Sequence, residues 1–177
     1  MRVILPVLAL LFILLLVAGR EVEREALRLQ AGDRLPALAV TDLKGGPYLL
    51  RPSPGRLLIL NVWATWCAAC RHELPSLQRL MTQLDPQRAE LVLLSLDDDA
   101  LVVREFLIER HLGLTSLMDP QMSVANTVLG VRLYPTTYFV QPDGRIAAVI
   151  EGARAWDAPA QVAEIRALLP RAVEAVR

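Results

Sequence analysis

The chain has 177 residues, 54% of them hydrophobic, with a mean hydropathy of +0.37. That apolar share excludes intrinsic disorder, and the length suits one domain rather than two. Nineteen basic side chains, all arginine except Lys44, balance nineteen acidic ones, which argues against nucleic acid as a partner because phosphate binding calls for a basic excess.

The apolar excess is concentrated at the N-terminus. Residues 3–19 (VILPVLALLFILLLVAG) carry no charge, with Arg2 before them and Arg20 after. As a helix they span about 25 Å, at the short end of what a bilayer core requires. The run is also longer than the apolar region of a secretory signal, about 7–15 residues. Residues 1–19 therefore read as an uncleaved signal-anchor, positive end inside and the remainder exported. Cleavage after Val17-Ala18-Gly19 is the alternative, and it leaves the same domain on the same side. Residues 20–32 read as a charged linker and residues 33–177 as one folded domain.

Within that domain, residues 35–40 are strand-like, Lys44-Gly45-Gly46-Pro47 is a turn, and residues 48–50 return from it as a hairpin. Residues 57–63 (LLILNVW) are a compact apolar run between breakers, as a central buried strand requires. After Cys67 a helix is expected, because Leu74, Leu77, Leu80, Met81 and Leu84 fall on one stripe. Pro75 lies inside it and should kink it. Residues 90–96 (ELVLLSL) make a second buried strand. Asp97-Asp98-Asp99 then cap a helix running to about His111, with Phe106 and Leu107 inward. Met118-Asp119-Pro120 opens a short helix ending near Gly130. Residues 136–140 and 145–150 are two strands joined by Gln141-Pro142-Asp143-Gly144. Asp157-Ala158-Pro159 starts a last helix, with proline at its first turn, and Pro170 ends or bends it. Alternating strands and helices make the fold α/β.

Cys67 and Cys70 are the chain's two cysteines. Two thiols cannot complete a four-ligand zinc site, and His72 and His111 do not stand at finger spacing. A disulfide closing so small a loop is a weak staple, so a redox-active pair is the better reading, in keeping with an exported compartment. Cys67 follows a strand and opens a helix, where unpaired N–H groups and the helix dipole favour an anion. Such positions lower a thiol pKa from about 8.5 towards about 3.5–7.5. Cys67 is then the attacking thiol, and Cys70, one turn further along, resolves the mixed disulfide.

The segment Asn61-Val-Trp-Ala-Thr-Trp-Cys-Ala-Ala-Cys-Arg-His-Glu-Leu-Pro75, with the later Tyr134-Pro-Thr-Thr-Tyr-Phe-Val-Gln-Pro-Asp-Gly144, resembles the thioredoxin superfamily. Within it the match is to TlpA/ResA-like membrane-tethered thiol-disulfide oxidoreductases, over roughly residues 33–169. The resemblance implies a thioredoxin-like fold, a central mixed sheet flanked by helices with an N-terminal β-hairpin extension. It implies that Pro135 is a cis-proline facing the cysteines and that Trp66, Tyr134 and Thr136 contact the substrate. The Tyr134 backbone would pair with an extended substrate segment.

Asn61 stands where thioredoxins proper carry a buried Asp, and the acid three residues after the second cysteine is Glu73. On a helix Glu73 adjoins Cys70. A partly buried carboxylate there would have a raised pKa and could take or give the Cys70 proton. The alternative is a solvated carboxylate paired with Arg71 or Arg79. Ala69 departs from the proline common before the second cysteine, which leaves the reduction potential open across a range of about −120 to −270 mV.

The resemblance also implies partners: a membrane thiol carrier as electron donor, and a protein disulfide as substrate, such as the haem-binding cysteines of apocytochrome c or an oxidase assembly factor. The redox-active disulfide would be the only redox group, with no further cofactor or metal. A peroxiredoxin-like peroxidase shares the fold, but Asn61 holds the proline place of P-x-x-x-T-x-x-C and Thr65 is only two residues before Cys67. Thiolates would also suit Cu(I). Related copper chaperones use C-x-x-x-C with a late histidine, and no histidine follows His111. Asp97-Asp98-Asp99 reads as a helix start rather than a metal site.

Overall fold

The computed structural model describes residues 28–171. The expected anchor, and residues 20–27 of the linker, lie outside them. Seven strands follow one another: β1 (Leu38–Asp42), β2 (Pro47–Leu50), β3 (Leu57–Trp63), β4 (Ala89–Ser95), β5 (Ser116–Met118), β6 (Thr136–Val140) and β7 (Ile146–Glu151). They form one sheet in the order β2-β1-β5-β4-β3-β6-β7. β3, β4 and β5 run parallel, and the remaining pairings are antiparallel. The sheet is therefore mixed, and the N-terminal hairpin β1–β2 extends one edge of it.

Three helices accompany the sheet: α1 (Ala68–Thr82), α2 (Ala100–Glu109) and α3 (Pro159–Leu168). Every residue of β3 is buried, and its side chains alternate between two cores. Leu57, Ile59 and Trp63 pack with Leu74, Leu77 and Leu80 of α1, Val103 and Leu107 of α2, and Val162 and Ile165 of α3. Leu58, Leu60 and Val62 pack on the opposite face with Leu38, Leu50, Val124, Leu129 and Tyr138. The β3–α1–β4 and β4–α2–β5 connections both step the same way across the sheet, so right-handed crossovers put both helices on one face. Asn61, between Ile59 and Trp63 in the alternation, points to the helical face with Cys70.

Two expectations are corrected, and one strand was not foreseen. The first strand begins at Leu38 rather than Leu35. β5 has no sequence signal, since three residues are too few to show a period; it forms because Leu93, Leu94 and Ser95 offer it a parallel edge. Residues 118–130 are no single helix. Pro120–Met122 is a 3₁₀ turn in which Gln121 (φ 66°) and Met122 (φ 55°) adopt left-handed backbone, Ala125–Leu129 is one wide π turn, and Gly130 ends it at φ 67°. α1 is continuous through Pro75, whose ring leaves the Arg71 carbonyl without its i+4 donor.

Candidate active site

The end of β3 delivers the chain to the cysteines. Cys67 is the N-cap of α1, with extended backbone, and its Sγ accepts from the Cys70 N–H at 3.2 Å. The two cysteines are joined as a disulfide with their Cα atoms 5.2 Å apart. Their exposure differs. Cys67 is half-buried at the surface, whereas Cys70 is wholly buried. A partner can therefore reach Cys67 first. Once the bond is reduced, the Cys70 N–H and the helix start are placed to hold a thiolate at Cys67.

The loop between β3 and α1 is braced by Asp97, a contact the sequence reading missed. Asp97 accepts from the Thr65 backbone N–H at 2.9 Å and the Thr65 hydroxyl at 2.6 Å, and from the Ser95 hydroxyl at 2.7 Å. Trp63 and Ser95 are aligned in the parallel β3–β4 ladder, so Thr65 and Asp97 each lie two residues beyond an aligned pair. The three consecutive aspartates do three separate jobs. Asp98 accepts from the Gln121 N–H, and Asp99 alone caps α2 through the Leu101 N–H. Among the described residues, no group of three or more His, Cys, Asp and Glu could hold a metal ion. His72 and His111 are both exposed.

The Tyr134–Pro135 peptide bond is cis and leads directly into β6. The Pro135 carbonyl accepts from Gly152 N–H at 2.8 Å, which ties this turn to the end of β7. Tyr134 meets Trp66 edge-on with ring centroids 5.9 Å apart. Its hydroxyl points at Met122 Sδ, 3.7 Å away, and burial, with the Asp119 charge adding to it, pushes its pKa up. Trp66 is 57% exposed, and Leu133 at 51% continues the apolar rim beside Tyr134. Thr136 does not join this rim. It is buried, and its hydroxyl donates to the Leu133 carbonyl at 2.6 Å. Its side chain braces the turn and is not offered to a substrate.

Glu73 lies on α1 one turn beyond Cys70, and only 1% of it is exposed. Asn61 Nδ2 donates to its Oε1 at 2.7 Å. Trp156 Nε1 and the Arg154 backbone N–H donate to its Oε2 at 2.8 and 3.2 Å. It is not a solvated partner of Arg79, which instead pairs with Asp157. Burial pushes the Glu73 pKa up, and the three donors and the Arg154 charge only partly offset this. Trp156, itself wholly buried and packed against Phe139, is a second residue missed from sequence. It stands 83 positions from Glu73, and no spacing rule connects the two.

A surface thiol at a helix start, a buried second thiol, a cis-proline turn whose Tyr134 meets Trp66 and a buried carboxylate together suit thiol-disulfide exchange. The comparisons agree. The profile of the AhpC/TSA family matches residues 31–149. Thiol-disulfide oxidoreductase ResA of Bacillus thuringiensis (strain Al Hakam) is 29% identical over 125 residues, covering 71% of this chain and 72% of that protein. Thiol-disulfide oxidoreductase ResA of Geobacillus kaustophilus (strain HTA426) is 30% identical over 121 residues, 68% of this chain and 69% of that one. Among solved structures, a candidate thiol:disulfide interchange protein DsbE from Chlorobium tepidum superposes with a TM-score of 0.69 at 26% identity, covering 79% of this chain and 98% of that one.

Proposed function

The chain belongs to the AhpC/TSA family and is a thiol-disulfide oxidoreductase with a Cys67-x-x-Cys70 pair, and we propose that it works as a reductase of protein disulfides, tethered on the exported side of a membrane. The observation that carries this reading is the division of labour between the cysteines: Cys67 half-buried at the surface next to Trp66, whose ring meets Tyr134, and Cys70 wholly buried one helical turn before Glu73.

In the forward direction the Cys67 thiolate attacks one sulfur of a substrate disulfide. A Cys67–substrate disulfide forms, and the other substrate sulfur leaves as a thiolate that takes a proton from solvent. The Cys70 thiol gives its proton to Glu73 and attacks Cys67 Sγ. The mixed disulfide breaks, and the second substrate sulfur leaves and is protonated in turn. The substrate gains two electrons and two protons, and the enzyme is left with the Cys67–Cys70 disulfide. A membrane thiol carrier then restores the dithiol by the reverse exchange.

Trp66, Leu133 and Tyr134 form the rim against which an extended substrate segment would lie, with the Tyr134 backbone pairing to it. Glu73 acts on Cys70 from one turn further along α1, and the cis-Pro135 turn holds Tyr134 against Trp66. The uncharged run at residues 3–19 supports the tether, with the domain exported. In that compartment the substrates that fit are the disulfide formed by the haem-binding cysteines of apocytochrome c or a disulfide of an oxidase assembly factor. Insulin reduction by the full chain, with its reduction potential, tests the direction of the reaction. Turnover with a potential at the reducing end of the C-x-x-C range, about −270 mV, is expected. A potential near the oxidising end, with no insulin turnover, overturns the reductase reading. Fractionation tests the tether, and recovery solely in the soluble exported fraction overturns it.

A further inference from the structure

Glu73 is surrounded by donors. Asn61 Nδ2, Trp156 Nε1 and the Arg154 N–H all give hydrogens to its oxygens, an arrangement that suits a carboxylate. A protonated carboxyl group instead needs an acceptor for its own hydrogen. One lies at hand. Asn61 sits mid-strand in β3, wholly buried, and its Oδ1 is buried with no hydrogen-bond partner. Its Nδ2 holds both remaining contacts, to Glu73 Oε1 at 2.7 Å and to Thr137 Oγ1 at 2.9 Å. Thr137 faces Asn61 across the β3–β6 ladder, and a hydroxyl can either accept or donate.

We propose that the Asn61 side-chain amide turns over when Glu73 gains or loses a proton, so that the buried acid is matched in both states. With Glu73 ionised, Nδ2 donates to Glu73 Oε1 and to Thr137 Oγ1. With Glu73 protonated, the amide is reversed, and Oδ1 accepts from the Glu73 carboxyl O–H and from the Thr137 hydroxyl. Each state keeps both contacts, and each leaves one amide atom without a partner, as Oδ1 is now. Asn61 and Thr137 are thus positioning residues. The proton itself is held by Glu73 and comes from Cys70. An amide can serve two protonation states in this way because it carries a donor and an acceptor at interchangeable positions. The groups facing Glu73 fit this. β3 presents the uncharged Asn61, backed by the uncharged Thr137 of β6, the segment after β7 presents Trp156 and the Arg154 charge, and Cys70 stands one turn before Glu73 on α1.

The use of this device rests on the oxidoreductase reading above, but its test does not. The test is NMR of the full chain in its disulfide form, where neither cysteine titrates, with labelled Asn and Glu side chains. Above the Glu73 midpoint, read from its Cδ shift, the Asn61 Nδ2 protons should show contacts to Thr137. Below it those contacts should be lost with the same midpoint. In Glu73→Gln they should be independent of pH. Contacts that persist while Glu73 titrates overturn the proposal, as does a Glu73 Cδ that never titrates while the chain stays folded. If Glu73→Gln reduces insulin as fast as the parent, the catalytic use of Glu73 fails while the NMR result stands by itself.

Discussion

Glu73 shows how one carboxylate can be prepared for proton transfer by opposed effects. Removing it from water disfavours the charge by several kcal/mol. Hydrogen bonds to a charged group return about 1.5–3 kcal/mol each, and three donors reach it. Burial wins, so its pKa is raised. Trp156→Phe removes one donor while keeping most of the ring packing, and it should raise the Glu73 midpoint further in a carbon-detected titration. An unchanged midpoint would mean that the indole N–H is packing ornament only. Glu73→Gln keeps the shape but cannot accept the Cys70 proton. General acid–base assistance is typically worth about 10²–10⁴-fold, so resolution of a mixed disulfide should slow by about 10²-fold. The pH dependence that Glu73 imposes on that step should vanish with it.

At the scale of elements, the site is made where β3 ends and α1 begins, and Asp97 fixes that junction from the neighbouring strand. Losing its carboxylate leaves the Thr65 N–H and the Ser95 hydroxyl short of a partner, at a cost of about 1–3 kcal/mol. Asp97→Ala should therefore lower the urea midpoint clearly more than Asp98→Ala, whose single bond to the Gln121 N–H is exposed. Equal losses would show that Asp97 is not the brace. β3, β4 and α1 were legible because each is a long, strongly patterned run: residues 57–63 apolar except for Asn61, α1 with its leucines on one stripe. The cysteine pair and the proline turn were legible through their motifs. β5 was not, because its order comes from the edge it joins. The contacts of Asp97 with Thr65 and of Trp156 with Glu73 were not either, because each depends on which distant segments the sheet brings together. Glu73 was legible as a position but not as an environment. Its burial is created by Arg154 and Trp156, more than 80 residues away.

At the scale of the whole molecule, the 54% hydrophobic content divides between two cores, one on each face of the sheet, and the uncharged run at residues 3–19. The buried acid couples the site to global stability. Because the folded state raises the Glu73 pKa above its ordinary 4.5, the folded chain binds the proton more tightly than the unfolded one. Its contribution to stability is fully present below pH 4.5 and is lost as pH rises through the raised folded value. Asp42 and Asp157 are shifted the other way, and their contributions fall away only in more acid solution, below about pH 3.8. Glu73→Gln should flatten the decline above pH 4.5 in denaturation curves of the disulfide form. A slope that survives the substitution would assign it to another group.

The division of labour between the cysteines stands or falls on which one meets the substrate. The measurement is covalent trapping of a protein disulfide by the two single-cysteine variants of the reduced full chain. Cys70→Ser should accumulate a stable mixed disulfide through Cys67, the thiol at the surface, and Cys67→Ser should form none. An adduct held through Cys70 in Cys67→Ser, or no adduct with either variant, would contradict it.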